Sequence, residues 1–90
     1  MAKKRGKLEV IYDILNIIKN HKNSIKSTPL LRYSNLSTAR FHEYFSELFE
    51  KGFVREINSK NGKIITLTDL GFKYLERYRT ITSFIEDFDL

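Results

Sequence analysis

The chain has no cysteine, so neither a disulfide framework nor a thiolate metal site is open to it. That absence suits a reducing cytoplasm. No apolar run approaches the ~18 residues that a membrane span needs. The amino-terminal MAKKRGK leads into an amphipathic run and not into the apolar core of a signal peptide. Internal repeats, low-complexity tracts and interdomain linkers are missing as well. So are the patterns of catalysis. Glu43, Glu47 and Glu50 are neighbours on one predicted helix, facing solvent, with no convergent acid–base pair in a water-excluding pocket. No Ser, His and Asp stand at motif spacing, and the single Gly-Lys pair, Gly62-Lys63, lacks the rest of a phosphate-binding loop. His21 and His42 fall on different predicted helices without paired ligand spacing, which argues against zinc. The expectation is a protein that is no enzyme, needs no metal or small-molecule cofactor, and engages no membrane.

What remains is a small globular composition. Ninety residues, 41% hydrophobic and 13% aromatic, fit one domain that buries only ~60–65% of its unfolded surface. Such a domain holds one modest core. Net charge is +5, and its placement is uneven: residues 1–40 carry nine Lys/Arg against Glu9 and Asp13, a net +7, whereas residues 41–90 are net −2. A basic half points to a polyanionic partner, most often nucleic acid.

Hydrophobic spacing divides the chain into elements. Leu8, Ile11, Leu15 and Ile18, with Val10, Ile14 and Ile17 beside them, recur in steps of three and four and predict a helix from Lys7 to about Asn20. Ser27, Thr28 and Pro29 read as a capping hydroxyl followed by proline at a helix's first position, starting a short second helix that reaches Tyr33. SNLS at 34–37 predicts a tight turn with Leu36 as a buried plug and Ser37 capping a third helix. That helix has Phe41, Tyr44, Phe45 and Leu48 as its core face and Gly52 as its left-handed stop. Two alternating runs, 53–58 and 63–68, flank Asn61-Gly62, the pair that supplies the positive φ angles of a hairpin turn. Thr68 or Asp69 caps a last helix from about Leu70.

The order helix, helix, tight turn, helix, β-hairpin, helix is α+β, mostly α. It is a winged helix-turn-helix with a long C-terminal helix. Residues 1–6 are expected to form a flexible basic arm. Residues 7–90 form the single domain, which includes a terminal dimerisation helix at about 69–88.

The segments KLEVIYDIL, STPLLRYSNLSTARFHEYFSELFEKGFV and ITLTDLGFKYLERY together resemble a family of archaeal winged-helix DNA-binding proteins. Among its members are small chromatin-associated proteins that dimerise through an extended C-terminal helix. The resemblance covers roughly residues 7–79 and implies binding of double-stranded DNA, with the third helix in the major groove and the hairpin, or wing, along the backbone. Localisation would then be cytoplasmic, with the nucleoid, and the role that of a transcription regulator or chromatin component. A winged helix used for protein–protein contact is the alternative.

Ser37, Thr38, Ala39, Arg40 and His42 form the expected reading set, because the N-terminal turn of a recognition helix usually enters the groove. Arg40 can pair with guanine O6 and N7, contact phosphate, or form an ion pair with Glu47 or Asp13. Lys26, Ser27 and Thr28 sit where a helix N-terminus attracts phosphate. Arg55, Lys60, Asn61 and Lys63 are the wing candidates. Lys3, Lys4, Arg5 and Lys7 are candidates for an arm reaching the groove or backbone. In the last helix, Leu70, Tyr74, Tyr78, Ile81, Ile85 and Phe88, with Leu75 and Phe84 alongside, make an apolar stripe. Its first two or three members belong in the core. From Tyr78 onward it outruns what a small core covers, so Tyr74, Tyr78, Ile81, Phe84, Ile85 and Phe88 are the expected homodimer interface.

Overall fold

Five apolar side chains on one side of the first helix set the centre of the molecule. In the computed structural model, which describes residues 5–89, α1 spans Lys7–Asn20 and buries Val10, Ile11, Ile14, Leu15 and Ile18. Around it lie α2 (Ser27–Ser34), α3 (Thr38–Glu50), β1 (Val54–Ser59), β2 (Gly62–Leu67) and α4 (Asp69–Asp87). Leu30, Phe41, Leu48, Val54, Ile65, Leu67 and Leu75 complete the core from these other elements, and Ile25 from the loop before α2. The fold is α+β and mostly helical, a winged helix with a long last helix. Among the described residues no helix is long and apolar enough to cross a membrane.

Local chemistry explains most boundaries. The Ser37 hydroxyl accepts from the Arg40 amide at 3.2 Å, so α3 starts where its cap predicts. Gly52 ends that region with φ +80°. The two strands pair antiparallel from Val54–Leu67 to Ser59–Gly62. β2 also has a second neighbour that the sequence pattern does not announce. Ile25 bridges Ile65 through both backbone hydrogen bonds, and the Asn23 side-chain oxygen accepts from the Leu67 amide at 2.7 Å. The loop between α1 and α2 thus covers part of the outer edge of the wing.

Where the wing returns to α4, three contacts meet at Thr68. Its amide donates to the Phe53 carbonyl at 3.1 Å, its hydroxyl donates to the Gly52 carbonyl, and the same oxygen accepts from the Gly71 amide at 3.2 Å. Gly71 is buried, and a Cβ there would collide with the Phe53 carbonyl oxygen. The Thr-x-x-Gly spacing of LTDLG therefore has a steric cause.

Several expectations need correction. α2 begins at Ser27 with Lys26 as the residue before it and no side-chain cap, so Pro29 is its third residue, still within the turn whose amides lack helical partners. The hairpin turns over Lys60 and Asn61, and only Gly62 takes a positive φ, +111°. The register stays one-to-one up to Ser59–Gly62, so this is a two-residue loop that lacks the pair of positive φ angles of the mirror-image turn. Leu8 is 62% exposed and Leu70 45% exposed, because both lie at helix starts that overhang the core. Gly71 and Leu75 pack inward in place of Leu70. Leu36, Tyr44 and Phe45 are half-buried and pack against the core without being enclosed by it.

Gly71→Ala tests the corner. It should destabilise the domain by about 1–3 kcal/mol through forced backbone displacement, read as a lower midpoint in urea at unchanged slope. An unchanged midpoint would mean the Phe53 carbonyl can move freely.

Candidate nucleic-acid interface

The three predicted contact regions are all exposed: Ser37, Thr38, Ala39, Arg40 and His42 on the first turns of α3, Lys26, Ser27 and Thr28 at the start of α2, and Arg55, Lys60, Asn61 and Lys63 on the wing. The Ile25–Ile65 bridge sets the start of α2 beside β2, so Lys26 to Thr28 follow the wing's edge toward Lys63. The wing cations are divided, however. Alternation along paired strands puts Lys63 on the same face as the buried Ile65 and Leu67, beyond the core's reach. Arg55 lies on the opposite face with the exposed Ile57. Lys60 and Asn61 form the tip between them, and the Asn61 amide donates to the Ser59 hydroxyl at 3.3 Å.

Arg40 makes neither of the ion pairs open to it in sequence. Its guanidinium carbon lies 5.9 Å from the centre of the Tyr44 ring, one helical turn on, and Nη2 is 3.5 Å from the Tyr44 hydroxyl. With Lys7, Glu43 and Glu47 these two residues line a shallow polar hollow between α1 and α3. Tyr44 is a platform for Arg40 that the sequence reading placed only in the core; the four-residue spacing on one helix is the signal that could have found it.

The carboxylates of α3 do not act alike. Glu47 Oε2 receives Lys51 Nζ at 2.8 Å and Lys7 Nζ at 3.0 Å. Hydrogen bonds from Lys51, and then from Lys7, hold its carboxyl below its ordinary value of 4.5, against a smaller opposing effect of desolvation. Glu43 and Glu50 are exposed on the outer face with Ala39 and Ser46.

Arg5 is not part of a free arm. Nη1 donates to Asp13 Oδ2 at 2.8 Å and Nη2 to the Ser34 carbonyl at 2.9 Å. Lys3 and Lys4 lie outside the described residues. On α4, Tyr74 and Tyr78 are already engaged within the chain. Tyr78 stacks on Tyr12 with ring centres 4.4 Å apart, and the Tyr74 hydroxyl donates to the Leu8 carbonyl at 2.8 Å. Burial, with Tyr78 nearby, pushes the Tyr74 phenol up to about 12. Beyond them Ile81, Phe84 and Phe88 are each about 60% exposed and Ile85 less so.

A family model described as winged helix-turn-helix matches residues 4–86. Two proteins of Methanocaldococcus jannaschii are similar in sequence. The uncharacterized protein MJ0287 is 39% identical over 70 residues, 78% of this chain and 66% of its own. The uncharacterized protein MJ0290 is 31% identical over 78 residues, 87% of this chain and 34% of its own. The chain thus spans about a third of one relative and just under two thirds of the other. Among solved structures, Sso10a-2, a DNA-binding protein from Sulfolobus solfataricus, superposes with TM-score 0.74 at 19% identity, covering 93% of this chain and 85% of that one. F93 from STIV, a winged-helix DNA-binding protein, gives the same score and identity over 88% and 91%. The PcaV transcriptional regulator from Streptomyces coelicolor gives 0.67 at 17% identity over 87% and 62%.

The Glu47 cluster has a pH signature. A folded-state carboxyl titrating below its unfolded value adds stability that is complete above ~4.5 and is lost as pH falls through the depressed folded value. Glu47→Gln should therefore flatten the acid limb of the stability–pH curve while leaving its shape above pH ~6 unaltered. Thermal unfolding across that range measures it, and an unchanged acid limb would deny the lysines their hold on Glu47.

Proposed function

The chain belongs to the winged helix-turn-helix family, and from that premise we propose that it binds double-stranded DNA as a homodimeric transcription regulator or chromatin component. It acts by binding and not by catalysis, in the cytoplasm with the nucleoid. The observation that carries this reading is the exposed, capped first turn of α3, together with an exposed cationic wing and the open N-terminus of α2. The reading set Ser37 to His42 enters the major groove. Lys26, Ser27, Thr28, Lys60 and Lys63 meet phosphates, where cations and free helix N–H groups position the protein without reading sequence. Arg40, lying along the flank of its helix on Tyr44, is aimed at backbone as readily as at a base. The names of the fold's solved neighbours, two of them DNA-binding proteins and one a transcriptional regulator, support the same reading. The exposed strip of Glu43, Ser46 and Glu50 favours the second reading, a protein-binding winged helix.

A salt series on a random duplex separates the two. The DNA reading expects log affinity to fall linearly with log salt, by ~0.9 per phosphate contacted. Lys60→Ala with Lys63→Ala should weaken binding evenly on all sequences and flatten that slope by roughly one to two units. Arg40→Ala should cost ~1–3 kcal/mol at one position of a site if it reads a base, and should act uniformly if it clamps phosphate. Absence of duplex binding even at ~50 mM salt, where such contacts are strongest, would leave the protein-binding reading standing.

Assembly rests on the distal half of α4. Ile81, Phe84, Ile85 and Phe88 gain ~1.5–3 kcal/mol for each side chain fully removed from water, and a second copy about a two-fold axis offers the same surface in return. Tyr74 and Tyr78 border that interface more than they fill it. The intact chain should sediment as a dimer at micromolar concentration, and Ile81→Glu with Phe88→Glu as a monomer. A monomeric parent, or a dimeric double variant, would move the interface elsewhere.

A further inference from the structure

We infer that Arg5 and Lys7 form a brace that aims α3, acting as positioning residues for DNA binding and not as phosphate contacts; the inference rests on the DNA-binding reading above. Both belong to the basic run that opens the chain, where cations would ordinarily be taken for contacts with the polyanion. The Arg5 guanidinium instead bridges two elements. It holds Asp13 of α1 at 2.8 Å and caps the final carbonyl of α2, that of Ser34, at 2.9 Å. Its side chain is 27% exposed and that of Asp13 is 34%, so these charge-assisted bonds are less screened than surface pairs. Ser34 itself is buried, and its hydroxyl turns back to the Leu31 carbonyl at 2.7 Å. The next residue, Asn35, takes the left-handed φ of 58° that ends α2, and Ser37 already caps α3. Fixing the Ser34 carbonyl therefore fixes the start of the turn that delivers the reading set.

Lys7, two residues on, reaches Glu47 in the last turn of α3 at 3.0 Å. Residues 5 and 7 thus touch the end of one helix of the helix-turn-helix and the last turn of the other, while Leu30 and Phe41 hold the same pair of helices to the core. Two of the five guanidinium N–H donors are committed, one to the Asp13 carboxylate and one to the Ser34 carbonyl, and this holds the head group at the turn.

The test turns on a sign. Asp13→Asn makes the chain one unit more positive, so a purely electrostatic account expects tighter duplex binding. The brace expects binding weaker by roughly three- to tenfold, as for a residue that tunes a site it does not touch. Arg5→Lys, which keeps the charge but can satisfy only one of the two acceptors, should weaken binding similarly with the salt slope unchanged. Affinities are compared below the thermal midpoint of every variant, so that loss of folded protein does not contribute. In the DNA-free protein, exchange of the Asn35, Arg40 and Phe41 amides should quicken in both variants. Tighter or unchanged binding by Asp13→Asn, or a slope flattened by about one unit in Arg5→Ala, would make Arg5 a phosphate contact and overturn the brace. Unchanged amide exchange with parent binding intact would overturn the brace alone. A parent chain with no duplex affinity would remove the DNA reading and the aiming role together.

Discussion

The corner at Thr68 joins everything that the interface depends on. One residue ties the Gly52 and Phe53 carbonyls, just past α3, to the Gly71 amide in the first turn of α4. The root of the wing and the end of α3 are therefore the same place. From it α3 runs back 13 residues and the wing runs out over six-residue strands. At 1.5 Å and 3.3 Å per residue, each reaches about 20 Å. Both exposed ends thus stand at similar distances from one rigid hinge, an arrangement able to meet a groove and its flanking backbone together. Gly71 is needed because any side chain there would push the two arms apart at their junction.

The same economy explains what the core leaves uncovered. α1 has 14 residues and α4 has 19, so the last helix is about 8 Å longer than the helix it packs on. Leu75 is the last fully buried residue of α4. Tyr74 and Tyr78 cover the join with Leu8 and Tyr12, and beyond them Ile81, Phe84, Ile85 and Phe88 stay exposed, with Phe84 and Phe88 packed on each other. A domain of this size has no second layer to place over them.

Much of this was legible in residue order. The three- and four-residue steps of α1 and α3, the caps at Ser37 and Thr68 and the stop at Gly52 are local signals, each satisfied by atoms within a few positions. What escaped was set by distance in sequence. Arg5 meets the carbonyl of a residue 29 positions away and Lys7 meets Glu47 on another helix, and no periodicity reports such pairs. Leu8 and Leu70 kept the right period but lay past the edge of the core, since a wheel gives the direction of a side chain and not where its cover ends. The hairpin loop falls where Asn61-Gly62 marks it, with a positive φ at the glycine alone and not at both residues of the pair.

The acids of α3 also sort by distance. Glu47 is held by two lysines and presents little net charge. Glu50 stands 12 residues from Thr38, ~18 Å along the axis, beyond the ~8–10 Å over which charges act in physiological salt. Glu43 is five residues from Thr38, ~7.5 Å along the helix, and has the exposed strip to itself at that depth. It is the one carboxylate whose charge a duplex seated on the first turn of α3 would feel. Close to phosphate it opposes binding; close to a base edge it can accept from the cytosine amino group. The acids of α3 are thus no bar to the proposed DNA binding, because one is neutralised, one would be screened by distance, and the third would stand where it could accept from a base as readily as repel a phosphate.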